Sequence, residues 1–265
     1  VNKSDYPLIT IGITTFNNIS THFDNEDVLK RGLDCFVNQD YPNFEIFIQD
    51  DCSTDRSFEI CKEYAKRYPF IKAIQNKQNL GADLNIGNLV AKVNGDFFIW
   101  GCVDDFYERD YLSKCYAKLK TQSMKSVCQS YIKTIYPDKE VIDQYEDIAP
   151  PVTTEERLEL NQILFHREKY LGKCSALNPI IHGLIRIKSA RVIFCNLPLL
   201  YFELALPILL IWFGGICVVE EVLFVNEAKQ PFADRYPQSE YVKNTTNKYF
   251  LVKNSISIMR LFLRL

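Results

Sequence analysis

Four short apolar runs separated by helix-period segments fill the first 120 residues, and that alternation constrains the chain more than any other feature. Residues 8–14, 44–49, 71–75 and 96–100 are rich in β-branched and aromatic side chains. Between them, Val28, Leu29, Leu33, Phe36 and Val37 recur at helical spacing, Phe58, Cys61, Tyr64 and Ala65 do the same, and residues 81–93 continue the pattern. Strand and helix in turn is the signature of a parallel sheet joined by crossover helices, an α/β fold. Tyr41, Pro42 and Asn43 give a turn that closes the first helix, and Ser53 or Thr54 with Asp55 supplies a cap and first-turn acid for the second. A fourth helix is expected from Asp110 through Leu119.

Two of these runs end in acids. Residues 44–48 lead into Asp50, Asp51, Cys52, Ser53, Thr54 and Asp55, and residues 97–100 lead into Asp104 and Asp105. In an open α/β sheet the crevice beyond the carboxyl ends of the strands is where ligands bind. Clustered carboxylates there suit a hard cation or a sugar hydroxyl. Helix capping alone would account for Ser53 and Asp55. It does not account for Asp51, Asp104 and Asp105 together, because paired carboxylates repel unless something occupies the space between them.

A formal net charge of -2 excludes the basic field that nucleic-acid binding needs. The nine cysteines are odd in number and contain no C-x-x-C pair, which argues against a disulfide framework and against a zinc site, and in favour of reduced thiols in a cytoplasmic protein. The polar opening and the short run at 8–13 do not read as a signal peptide. Residues 197–213 carry Glu203 and prolines 198 and 207, and read as a buried helix, not a membrane span. Residues 127–135 read as a strand, 136–154 as a polar loop and 155–171 as an amphipathic helix. At the end, Leu251, Ile258, Phe262 and Leu265 share one helical face and Lys253, Arg260 and Arg264 another. That basic amphipathic helix has two readings: peripheral contact with an anionic membrane, or packing on its own domain or on a second subunit of a homodimer.

Three local patterns occur in a telling order: Ile13, Thr14, Thr15, Phe16, Asn17 after the first strand; Gln49 to Asp55 after the second; then Asn79, Leu80, Gly81, Asn85, Gly95, Asp96, Phe97, Val103, Asp104 and Asp105. Together they resemble the nucleotide-sugar-binding half of a family 2 inverting glycosyltransferase of the GT-A fold, closely over about the first 115 residues and loosely beyond. The resemblance implies that Thr14 or Thr15 hydrogen-bonds a pyrimidine base, with Phe16 as its wall and Asn17 beside it. It implies that Asp51 accepts from the pyrimidine N–H and Asp104 from a ribose hydroxyl, while Asp105 ligates a Mg²⁺ or Mn²⁺ at the diphosphate. Asn79 and Asn85 shape the nucleotide loop, and Asp50 stands behind the site. Many relatives carry an Asp where this chain has Cys102, and a thiol is a poor ligand for a hard cation.

Inverting transfer needs one base for the acceptor hydroxyl. By the same resemblance it is an acid opening a helix that ends in Gly, followed by a strand. Here Glu203, Gly214, Gly215 and residues 216–224 fit, with Glu220 and Glu221 as acceptor-side rivals and His182 lining the acceptor pocket.

The implied protein is a metal-dependent glycosyltransferase that moves a hexosyl or deoxyhexosyl group from a nucleotide diphosphate sugar to a saccharide or lipid-linked acceptor in surface polysaccharide assembly. Residues 1–120 form the nucleotide half, 121–235 the acceptor half and 236–265 a helical tail. A pyrophosphorylase or a Rossmann dehydrogenase would need a glycine-rich loop after the first strand, and Thr14 to Asn18 contains no Gly. The other alternative is a degenerate saccharide- or nucleotide-binding scaffold that has kept the fold without the activity.

Overall fold

The computed structural model describes residues 2–19, 26–156, 181–195 and 209–227. Strands β1 (Ile9–Thr15), β2 (Phe44–Asp50), β3 (Ile71–Gln75) and β4 (Phe97–Trp100) alternate with helices α1 (Glu26–Val37), α2 (Ser57–Arg67) and α3 (Ala82–Lys92). They are followed by β5 (Phe106–Tyr107), α4 (Tyr111–Thr121), β6 (Val127–Ile135), β7 (Glu140–Asp143), β8 (Leu184–Arg186), α5 (Ile187–Phe194) and β9 (Ile216–Glu227). The sheet order is β3-β2-β1-β4-β8-β6-β9-β5, with β7 beside β6. The first four strands are parallel, β8 runs against β4 and β6, and β6 and β9 are again parallel. The mostly parallel α/β sheet expected from the alternation is present.

The period-two alternation of each strand decides which helices cover which face. Ile9, Ile11, Ile13, Ile46, Ile48 and Ile99 point into one core with Leu29, Leu33, Ile60 and Leu112 from α1, α2 and α4. Phe47 and Phe98 point the other way, onto Ile86, Leu89 and Val90 of α3 and Ile193 and Phe194 of α5. Gly12 lies on this second face, where a Cβ would meet the rings and methyls of Phe98 and Leu89, so α3 packs directly on the strand backbone.

Three expectations need correcting. Helix α2 begins at Ser57 and not at Ser53 or Thr54, because Ser53 is drawn into the turn after β2 and Asp55 Oδ1 accepts the Ser57 N–H at 2.8 Å. The segment 136–154 is not all loop. Tyr136 N–H bonds Lys139 O across a Pro-Asp turn, and β7 returns as a hairpin partner of β6. Strand β9 runs past the expected 216–224 to Glu227, with register shifts against β6 on both sides of Tyr131 that leave Glu220 and Glu221 exposed. Of the buried helix expected at 197–213, residues 209–213 are helical, with Leu209, Leu210 and Ile211 in the core. Among the described residues no helix is long and apolar enough to cross a membrane.

Candidate functional site

Between β1 and β4 the chain order reverses: β2 and β3 lie on one side of β1, and β4 on the other. This switch point is where an open α/β sheet leaves a crevice beyond its carboxyl ends. There the turn after β1 and the turn after β2 are tied together. Asp51 N–H donates to Thr15 O at 2.8 Å, Asn17 N–H to Ser53 Oγ at 2.8 Å, and Thr54 N–H to Asn17 Oδ1 at 2.8 Å. Asn17 and Cys52 both adopt left-handed backbone, at φ 48° and 65°. For non-glycine residues this costs about 1–2 kcal/mol each, and such strain is tolerated where the surroundings over-determine it.

Asp50 and Asp51 do different work. Asp50 is fully buried and accepts from Thr15 Oγ1, Ser53 N–H and Oγ–H, and Gln75 Nε2, so its carboxylate is spent inside the protein. Thr15 is thereby turned inward. Thr14 is the more accessible of the pair, and its hydroxyl accepts from Trp100 Nε1 at 3.2 Å. Asp51 takes the side-chain N–H of Asn76 at 2.7 Å and the backbone N–H of Leu80 and Gly81, both at 2.9 Å. A carboxylate has about four lone-pair directions, so among the described residues three are taken and one remains, on a side chain that is itself buried. Gly81 needs its φ of 81° to present that N–H, and Asn79 Oδ1 accepts from the same group at 2.9 Å. Asn85, on α3, is buried and bonds Gln49 and Asn76. Phe16, in the turn after β1, is 39% exposed.

The third acidic segment is placed by backbone contact. A Cβ on Gly32 of α1 would run into the carbonyl of Val103, so the helix lies flush against the turn that carries Asp104 and Asp105. Asp104 is exposed, whereas Asp105 is buried and accepts from Asn226 Nδ2 of β9 at 2.6 Å. Beside Asp105 lie two unlike partners. One ligand atom each of Cys102, Asp105 and His182 falls within 4.8 Å of the others, the one such group among the described residues. His182 Nδ1 lies 3.2 Å from Trp100 O, and a carbonyl only accepts, so Nδ1 carries the proton and Nε2 keeps its lone pair. The ring is stacked on Phe224 at 5.5 Å. Burial pushes the imidazole below its ordinary value of 6.5, against the Trp100 carbonyl and Asp104, and so favours the neutral, ligating form. Burial also pushes the Cys102 thiol well up, helped by Asp105 and Asp104.

His182, expected to line the acceptor pocket, stands next to Asp105, and the sequence does not point to Asn226. No local pattern marks either, since they reach Cys102 and Asp105 from 80 and 121 residues away. The three donors fit a divalent ion that accepts sulfur and nitrogen as well as oxygen. Sulfur and imidazole are poor donors for Mg²⁺, which takes oxygen ligands, so of the three only Asp105 suits it.

Glu220 and Glu221 are exposed on β9, and Glu221 pairs with Lys114 of α4, which also holds Asp110. Neither belongs to the cluster. Glu203 lies outside the described residues, as do the expected C-terminal amphipathic helix and nearly all of the helix expected at 155–171.

A family model for glycosyl transferase family 2 matches residues 10–175. Glycosyltransferase GlyA of Streptococcus pneumoniae is 35% identical over 98 residues, which is 37% of this chain and 14% of that protein. The poly(ribitol-phosphate) beta-glucosyltransferase of Bacillus spizizenii is 29% identical over 136 residues, 46% of this chain and 22% of that one. The chain thus spans less than a quarter of either relative. Among solved structures, S. aureus TarS 1-349 in complex with UDP-GlcNAc superposes with a TM-score of 0.61 at 19% identity, covering 84% of this chain and 59% of TarS. At that identity the likeness is one of fold.

Proposed function

The chain belongs to glycosyl transferase family 2 and has the GT-A fold, and on that premise we propose that it transfers a sugar from a nucleotide diphosphate sugar to a hydroxyl of a saccharide or lipid-linked acceptor, with inversion at the anomeric carbon. The observation that carries this reading is the origin of Phe16, Asp51, Asp104 and Asp105 in the turns after three neighbouring parallel strands, β1, β2 and β4. They offer what a nucleotide donor presents a need for: a flat wall, an open carboxylate lone pair, an exposed carboxylate and a cation-holding group. Relatives named as glycosyltransferases, one of them acting on poly(ribitol phosphate), support surface-polymer assembly as the setting.

Phe16 walls the base, with Thr14 and Asn17 at its edge. Asp51 gives its remaining lone pair to a ring N–H, and the backbone of Leu80 and Gly81 keeps that carboxylate from swinging away. Asp104 accepts from a ribose hydroxyl. Asp105, fixed by Asn226, holds the divalent ion with Cys102 and His182 beside it; when bound, such an ion neutralises charge developing on the leaving diphosphate. Glu203 takes the proton of the acceptor hydroxyl as its oxygen attacks the anomeric carbon. The bond from that carbon to the diphosphate oxygen breaks, and the diphosphate leaves with the electron pair. In this scheme residues 1–120 bind the donor and 121–235 the acceptor.

The test is incubation with a panel of uridine, thymidine and guanosine diphosphate sugars, beginning with UDP-GlcNAc because the fold-related TarS was solved with it. Slow release of the diphosphate, with the opposite anomer seen first by NMR, is the expected result. Tight nucleotide binding without any turnover would point to the scaffold alternative, and retention of configuration would defeat the single displacement.

A further inference from the structure

The geometry points to a borderline transition ion of the zinc or cobalt class, bound through Cys102 Sγ, Asp105 and His182 Nε2, as the cation this site selects, in place of Mg²⁺ or Mn²⁺. The inference deepens the transferase reading in one respect only: it takes from that reading the position of the ion beside the donor diphosphate. The ligand set itself rests on four observations.

Sγ lies 3.6 Å from His182 Nδ1 and 4.0 Å from Nε2, and one ligand atom each of Cys102, Asp105 and His182 lies within 4.8 Å of the others. Tetrahedral bonds of about 2.3 Å to sulfur and about 2.0 Å to nitrogen or oxygen set ligand atoms roughly 3.3–3.6 Å apart. The cluster therefore closes on an ion by small side-chain rotations. Next, the histidine ring is fixed: Nδ1–H is spent on the Trp100 carbonyl and Phe224 stacks on the ring face, so Nε2 is the nitrogen left with a lone pair. The carboxylate is likewise held from behind by Asn226 at 2.6 Å, the outer-shell arrangement that fixes a ligand. Finally, three protein ligands leave a fourth position of a tetrahedron open, as in ion sites that admit a substrate oxygen. Sulfur and imidazole are soft and borderline donors, so they discriminate against Mg²⁺ by chemistry as well as by ligand number. The missing C-x-x-C pair excludes only a zinc site built from cysteines close in sequence; Cys102, Asp105 and His182 are brought together by β4 and β8.

The experiment is a Co²⁺ titration of the chelator-treated, full-length protein, followed by absorbance, with parallel Zn²⁺, Mn²⁺ and Mg²⁺ titrations by calorimetry. One equivalent of Co²⁺ should raise a near-ultraviolet sulfur-to-cobalt charge-transfer band. Cys102→Ser should abolish that band while leaving the weaker visible bands of bound cobalt. His182→Gln should weaken Zn²⁺ tenfold or more, and Cys102→Asp should shift the Zn²⁺ to Mn²⁺ affinity ratio toward Mn²⁺ by a similar factor. A charge-transfer band that persists in Cys102→Ser, or Mg²⁺ and Mn²⁺ binding as tightly as Zn²⁺, overturns the proposal. Failure of UDP to bind any metal form, with the cobalt spectrum intact, overturns the donor reading and leaves the ligand set standing.

Discussion

Asn226 donates its side-chain N–H to Asp105 at 2.6 Å, joining the end of β9 to a carboxylate 121 residues earlier in the chain. The contact fixes Oδ1 of Asp105 from the end of β9. Replacing Asn226 with Ala should weaken cation-dependent nucleotide binding roughly 10–100-fold, the usual loss when an outer-shell partner of a metal ligand is removed. Calorimetry with UDP, with and without the cation, measures it; equal affinity with and without the substitution would show that Asp105 needs no such support.

Gly32→Ala places a methyl group against the Val103 carbonyl. A backbone atom cannot step aside as a flexible side chain would, so the turn bearing Asp104 and Asp105 must shift. The expected cost is about 1–3 kcal/mol of stability, as for other overpacked sites, with weaker donor binding. A denaturant melt and a binding isotherm on the same sample test both; an unchanged melting midpoint would mean that α1 can slide.

Asp50 and Asp51 should separate by phenotype although they are adjacent. Asp50→Ala strands buried donors from Thr15, Ser53 and Gln75 and should cost about 1–3 kcal/mol for each group left unsatisfied, enough to unfold a marginal domain. Asp51→Ala should leave a folded protein with a loosened 76–81 loop and weak UDP binding, and with its response to the cation unaltered. Circular dichroism and UDP titrations decide. A folded Asp50→Ala with full stability would contradict the first half, and altered cation dependence in Asp51→Ala the second.

Much of this was legible beforehand, and the reason is local. The strand runs through β4, the helices between them and the acidic turns are each written in fewer than twenty consecutive residues, so periodicity and turn chemistry expose them. The helix α2 start was misplaced because Ser53 looks like a cap in sequence, yet its hydroxyl is claimed by buried Asp50. His182 and Asn226 were beyond reach for the opposite reason: their roles exist only once β8 and β9 enter the sheet beside β4 and β6. A lone His or Asn carries no spacing from which that could be read.

Glu203→Gln should keep donor affinity while lowering the transfer rate by ~10²–10⁴, the usual contribution of a general base. Glu221→Gln should mainly lose the ion pair to Lys114. Steady-state rates on both variants test the assignment, and a collapse of transfer in Glu221→Gln with normal rates in Glu203→Gln would exchange the two roles.

Asp147 predicts an acid-side response. Burial raises its carboxyl, but hydrogen bonds from Gln122 and the Val218 N–H, with Lys118 and Lys125 nearby, outweigh it and leave the group below its ordinary 3.8. A depressed acid adds stability above its unfolded-state value and loses it as pH falls through the folded one. Wild-type stability should therefore fall below about pH 4, and Asp147→Asn should flatten that part of the profile. Urea melts between neutral and acid pH measure it; parallel profiles would remove Asp147 from the account.

Strand β9 pairs in parallel with β6, Val127 facing Ile216, and only then delivers Phe224 and Asn226 behind His182 and Asp105. On a ribosome, where the chain emerges from its amino end, β1 to β4 can zip together while β9 is still unmade. Long-range parallel pairing forms slowly, since loop closure must precede any contact that rewards it. The backing of Asp105 and His182 is thus a late product of synthesis: a nascent chain can hold the crevice between β1 and β4 before Asn226 and Phe224 arrive behind these two side chains.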